Sequence, residues 1–147
     1  MNITIQPRVA ARQYSLHDAE ITQIKCYESS ISLQFEYGYF KTAAEATQVE
    51  GSVVFEGVDW DFCYVYILDL CANGGKFSGR KLSFWDFAAQ FQAMNFTVLD
   101  ETYGYNLAHL DGILSVGTQL QECRLEIYHS GNMKYITDCL LYTSRCV

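Results

Sequence analysis

Short runs in which apolar and polar residues alternate one for one recur through this chain, and they constrain its fold more than any other feature. Ile31, Leu33, Phe35, Tyr37 and Tyr39 alternate with Ser32, Gln34 and Glu36. Val49, Gly51, Val53 and Phe55 alternate with Glu50, Ser52 and Glu56. Cys123, Leu125 and Ile127 alternate with Glu122, Arg124 and Glu126. Side chains of a β-strand point to opposite faces in turn, so a period of two marks a strand with one buried face. Antiparallel sheets take this pattern, because one face meets the core and the other meets water. Ile21 and Ile24 fall out of phase with each other, and a bulge between them restores it. Residues 62–70 are apolar at both parities, which predicts a central strand covered on both sides.

Residues 96–99, 103–114 and 133–137 complete the predicted strands. Turns are expected at 28–30, 57–59 and 129–132, the last a tight hairpin with Gly131 at positive φ. One segment changes period. Phe84, Phe87, Ala88, Phe91 and Met94 share one helical face, and Ser83 with Asp86 resembles a capping box. The fold class read from these patterns is mostly β (α+β). It is an antiparallel sheet or sandwich of about eight strands, with one amphipathic helix over residues 83–94 packed on it.

Residues 1–138 read as a single globular domain, with residues 1–18 an arm that carries one early strand. Residues 139–147 are expected not to be native. Cys139-Leu-Leu-Tyr-Thr-Ser is one reading frame of the mosaic-end element used in transposase-based sequencing libraries. Arg-Cys-Val followed by a stop is the reverse complement of that element. Such segments are excluded from fold reasoning.

The excess of 17 Asp and Glu over 10 Lys and Arg gives a net charge of −7, which repels phosphate backbones and disfavours nucleic acid as a partner. No run is long enough to span a membrane. Cys26, Cys63, Cys71 and Cys123 lie in apolar or alternating runs without metal-site spacing, as buried free thiols of a cytoplasmic protein would.

No catalytic, cofactor or metal motif emerges. Gly74-Gly75-Lys76-Phe77-Ser78-Gly79-Arg80-Lys81 has two glycines at phosphate-loop spacing. It places Arg80 and Lys81 where that loop needs Lys and Ser or Thr, so it reads as a solvated basic loop. His17, His109 and His129 show no metal-ligand spacing. Asp59/Asp61 and Asp100/Glu101 flank turns, where acids are ordinarily solvated. No G-x-S-x-G elbow is present.

Two features suit a binding surface. Tyr103-Gly104-Tyr105-Asn106 offers rigid aromatic area with polar tips, and Tyr103, Tyr105, Leu107 and His109 would share one strand face. Trp60 stands between Asp59 and Asp61, an arrangement that suits a basic partner. The candidate partner-binding residues are therefore Trp60, Tyr103, Tyr105, Asn106 and His109. In composition the chain is similar in style to the small acidic bacterial immunity proteins that neutralise toxin partners, which implies a non-enzymatic protein that binds a basic protein partner. Two other readings stand beside it: an enzyme or small-ligand carrier with a site at Tyr105, His109 and Asp111, and a homo-oligomeric structural domain.

Overall fold

The computed structural model describes residues 1–8, 11–42, 47–69 and 78–138. The strands are β1 (Asn2–Gln6), β2 (Tyr14–Ser15), β3 (Glu20–Tyr27), β4 (Ser30–Phe35), β5 (Tyr39–Lys41), β6 (Gln48–Val49), β7 (Gly51–Glu56), β8 (Tyr64–Leu68), β9 (Gly79–Ser83), β10 (Asn95–Tyr103), β11 (Leu107–Val116), β12 (Gln119–Tyr128) and β13 (Met133–Thr137). A 3₁₀ turn spans Trp60–Phe62, and helix α1 spans Phe84–Gln90. Ten strands form one antiparallel sheet in the order β1-β13-β7-β4-β3-β10-β11-β12-β8-β9, and β2-β5-β6 form a second, small sheet.

The large sheet is wrapped around one core. Residues 51–68 run antiparallel to residues 122–137, with the ladder interrupted over 59–63. Gly51 pairs with Thr137, Phe55 with Met133, Val58 with His129, Tyr64 with Glu126 and Leu68 with Glu122. The two segments bend together at Gly57–Cys63 and at His129–Asn132. Counting β12 and β13 as one bent strand, pairing runs from β7 through β4, β3, β10, β11 and β12 and returns to β7 through β13. A sheet this long curls rather than staying open. The inward residues of every strand on that circuit join one cluster, among them Ile21, Leu33, Phe55, Phe96, Leu110, Leu125 and Tyr135.

The expected tight hairpin at 129–132 is therefore absent, since β12 and β13 do not pair with each other. Gly131 is not at positive φ. Its glycine is required by proximity, because a Cβ there would lie 2.5 Å from the Glu56 carbonyl oxygen. The bulge expected in β3 falls between Ile21 and Gln23. β8 is not a central strand covered on both faces. It pairs with β12 and with the edge strand β9, burying Val65 and Ile67 while Tyr64 and Tyr66 stay half-exposed. Gly79, Arg80 and Lys81, expected to belong to a solvated loop, lie in β9.

The alternating run at 31–39 is split in two. β4 ends at Phe35, and Gly38, at φ 73°, turns the chain so that Tyr39 joins the small sheet. Tyr39 donates its hydroxyl to the Ser52 carbonyl at 2.8 Å, and its ring meets those of Tyr14, Phe35 and Tyr135. The small sheet thus closes one part of the core with aromatic rings. The helix supplies another part. Ser83 accepts from the Asp86 N–H at 3.0 Å and starts it, and Phe84 and Phe87 are fully buried. It ends at Gln90 rather than 94. Phe91 still donates to the Phe87 carbonyl, but its backbone leaves the helical region so that β10 can begin at Asn95.

Gly38→Ala should lower stability by about 2–4 kcal/mol, combining left-handed strain with overpacking. Its Cβ would lie 1.7 Å from the Val49 carbonyl oxygen. That corresponds to a fall of roughly 10 °C in Tm. Gly117→Ala, at φ 60° with nothing within 4 Å, carries the backbone strain alone. Calorimetry on both variants should show the larger loss at Gly38; equal losses would remove the Val49 contact as a cause.

Candidate functional site: an aromatic and acidic corner

The bend shared by residues 57–63 and 128–132 throws side chains outward. Asp59 caps the 3₁₀ turn by accepting from the Asp61 N–H at 3.2 Å. Residues 59–63 face too few partners on the opposing strand to stay paired, so they loop out. The turn carries no buried residue. Trp60 begins it, half-buried. Its indole N–H donates to the Glu28 carbonyl at 2.7 Å, and its ring stands 5.0 Å from that of Trp85. Phe62 stands 5.8 Å from the Tyr128 ring. Phe62 and Trp85 are 58% and 47% exposed, large values for rings packed against other aromatics. Asp59, Asp61 and Asp86, all exposed, are chain neighbours of these rings, as exposed Glu28 is of Tyr27. Trp60, singled out in the sequence, ties the Glu28 turn to Trp85 of the helix. Sequence reasoning missed Trp85, Phe62 and Tyr128, because Trp85 meets Trp60 and Tyr128 meets Phe62 only through tertiary packing.

The other candidates divide between two places. β10 and β11 are separate strands joined by a turn at Gly104-Tyr105-Asn106, so the single strand expected over 103–114 does not form. Tyr103 pairs with Ala108, which is buried, whereas His109 faces outward opposite Thr102. Tyr103 and His109 therefore lie on opposite faces, and Tyr105 belongs to the turn. Tyr103 donates to Glu101 at 2.5 Å, and the Arg12 guanidinium lies 3.8 Å from its ring centroid. Burial first, then the Glu101 carboxylate, raise its phenol well above the ordinary value. Tyr105 is exposed, with the Arg8 guanidinium 5.0 Å from its ring. Arg8 also donates to the Tyr105 carbonyl at 2.7 Å and to Asn106 Oδ1 at 2.5 Å.

His109 and Asp111 project from the outer face of β11. The turn at Gly117 sets His109 opposite Glu126 and Asp111 opposite Arg124. His109 Nε2 lies 3.0 Å from Glu126 Oε1. Arg124 donates through Nε to Asp111 at 2.6 Å and through Nη2 at 3.4 Å. Tyr66 and Tyr64 flank this pair on β8, and Lys81 Nζ sits 3.8 Å over the Tyr64 ring. Desolvation and the neighbouring Glu126 carboxylate raise the Tyr66 hydroxyl to about 12. His109 and Asp111 thus each have their own cross-strand partner, and neither converges on Tyr105. Counting back from the two-residue turn at Gly117-Thr118 would have identified Glu126 and Arg124.

Among the described residues, no three or more His, Cys, Asp or Glu side chains come together to hold a metal ion. No helix among them is long and apolar enough to cross a membrane. Of the phosphate-loop-like stretch, residues 74–77 lie outside the described residues, as do Cys71 and residues 139–147. Arg80 and Lys81 sit in edge strand β9, not in a loop at a helix start. A cleft lined by Gln6, Arg8, Arg12, Tyr103 and His129 has a cavity volume of about 20 Å³, room for a water and far below the size of a small-molecule pocket. Comparison with protein-family models, with curated proteins and with solved structures finds no match.

Burial raises the Cys63 thiol to about 11 and the Cys123 thiol to about 12. At pH 8 their thiolate fractions should lie roughly 100-fold or more below that of an ordinary cysteine. Peptide mapping after iodoacetamide treatment should find both unmodified in the folded chain and modified after denaturation. Rapid labelling of folded Cys63 would contradict this.

His129 is buried, with Nδ1 3.1 Å from the Gly131 carbonyl and its ring 5.0 Å from Phe55. Desolvation lowers its pKa below 6.5, and Arg8 and Arg12 add to the effect. The unfolded chain therefore takes up this proton first on acidification. The stability that neutral His129 contributes is complete above about pH 6.5 and is lost as pH falls from there through the folded value. Urea midpoints between about pH 7 and 5 should fall less steeply for His129→Gln than for the parent chain.

Proposed function

We propose that this chain is a non-enzymatic binding protein, and that its corner face around Trp60 receives a basic protein partner. The observation that carries this reading is the corner itself. The Trp60 ring meets exposed Trp85, exposed Phe62 of the same turn meets Tyr128, and the exposed acids Glu28, Asp59, Asp61 and Asp86 adjoin these elements along the chain. Interface energy concentrates in Trp and Tyr at the centre of a patch, and charge at its rim steers the encounter. A net charge of −7 adds long-range attraction to a basic partner. An inhibitor that covers a basic toxin, in the manner of an immunity protein, is one form such a partnership takes. The enzyme reading gains less support. His109–Glu126 and Asp111–Arg124 lie on an open sheet face as cross-strand pairs, a common stabilising arrangement of antiparallel strands.

A basic protein encoded beside this gene is the first partner to test, by calorimetric titration. Submicromolar binding is expected, and Phe62→Ala or Trp85→Ala should weaken it about 10- to 100-fold. Binding that is indifferent to both substitutions, or no binding to any neighbour-encoded protein, would overturn the proposal.

A further inference from the structure

Arg8 occupies a cage built from two turns that are each fixed without it. Its Nη1 donates to the Tyr105 carbonyl at 2.7 Å and to Asn106 Oδ1 at 2.5 Å. Its Nη2 donates to the Ser130 carbonyl and, at 3.0 Å, to the Gly131 carbonyl. The Tyr105 ring lies beside the same guanidinium. Four oxygen acceptors thus converge on one planar cation, and three of them are main-chain carbonyls. The turns hold their shape through other bonds. Gly104 N–H donates to Leu107 at 2.8 Å, His129 N–H to Asn106 at 2.9 Å, Ser130 N–H to Gly57 at 2.9 Å and Gly131 N–H to Glu56 at 3.0 Å. The cage should therefore persist when Arg8 is removed.

We infer that this cage is a guanidinium-binding site, held in the isolated chain by Arg8 and open to an arginine side chain of a partner once Arg8 leaves. The planar fork of a guanidinium satisfies several acceptors at fixed angles, which an ammonium does not, so the ligand class is arginine rather than lysine. The cage adjoins the proposed interface. Ser130 follows Tyr128 by two residues, and the Ser130 hydroxyl donates to Gly57 at the start of the corner. The identity of the incoming arginine as a partner's rests on the proposed function; the cage itself does not. Tyr105 and Asn106, chosen from sequence as partner-binding residues, would then meet a partner through the acceptors that Arg8 now uses.

The test is a titration of full-length Arg8→Ala with ethylguanidinium chloride, followed by amide NMR shifts, with ethylammonium chloride at equal ionic strength as control. Saturable shifts are expected at Asn106, Ser130 and Gly131, together with a rise in Tm. The parent chain, its cage filled, should respond at least about tenfold more weakly. Asn106→Ala in the Arg8→Ala background should weaken the response. Arg8→Lys keeps the charge and serves in the same titration should the alanine variant unfold. An identical response of parent and variant, or no preference for guanidinium over ammonium, would refute the site. Phe62→Ala in the Arg8→Ala background should leave ethylguanidinium binding unchanged, so loss of partner binding by Phe62→Ala alone bears only on the corner interface.

Discussion

The pairing of residues 51–68 with residues 122–137 is the constraint on which the rest of this structure depends. Its backbone hydrogen bonds run from Gly51–Thr137 through Val58–His129 to Leu68–Glu122. A ribbon of that length, twisted as all strands are, cannot stay flat, and here it turns a corner. The inward residues of β4 and β11 share one core, and the β3–β10 pairing closes the circuit with only Ile21–Phe96 and Glu20–Thr97 in register. So short a seam is sufficient because the ribbon has already set the two halves face to face. The Asp18 and Val98 amide bonds, at 2.8 and 2.9 Å, extend it.

The same constraint creates the corner surface. Inward and outward positions alternate along each strand, and the ribbon must keep that phase on both sides of the bend. It does so by leaving residues 59–63 out of the ladder, with Val58 before them and Cys63 at their end in the core and Phe62 outward. Trp60 is half-spared, since its indole N–H finds the Glu28 carbonyl and its ring finds Trp85. An exposed aromatic cluster therefore arises where the sheet pattern is interrupted, and not on a regular face.

Legibility in the sequence follows the same division. Regular faces were readable: the β3 bulge, the bounds of β13, the Ser83 cap and the inward set of β12 all follow from local period and capping chemistry. The split of residues 31–39 was not, because its alternation continues unbroken past Glu36. Only the left-handed turn at Gly38 and the Tyr39–Ser52 bond send the second half elsewhere. β9 and β1 were weakly patterned because edge strands need not bury a face continuously. Trp60 was legible as a Trp between two acids, but its companion Trp85, and the Tyr128 that meets Phe62, lie far along the chain. Tyr103 and His109 were placed on one face because a turn at Gly104-Tyr105-Asn106, with no proline and one glycine, resembles a continuing strand.

Electrostatics connects the corner with the arm. The chain carries few cations, yet Arg8 and Arg12 from its first residues both sit on tyrosines named from sequence, Tyr105 and Tyr103. A guanidinium over an aromatic ring gains more when water is partly excluded, and main-chain carbonyls around Arg8 strengthen that hold without a carboxylate. An acidic protein that meets its own arginines in this way has already formed, within one chain, the contact that a basic partner would offer. The basic partner proposed from net charge would thus find a local counterpart in the positions of individual acceptors. Those acceptors, unlike surface carboxylates, are fixed in direction by the turns that carry them, so they select the shape of the cation as well as its sign.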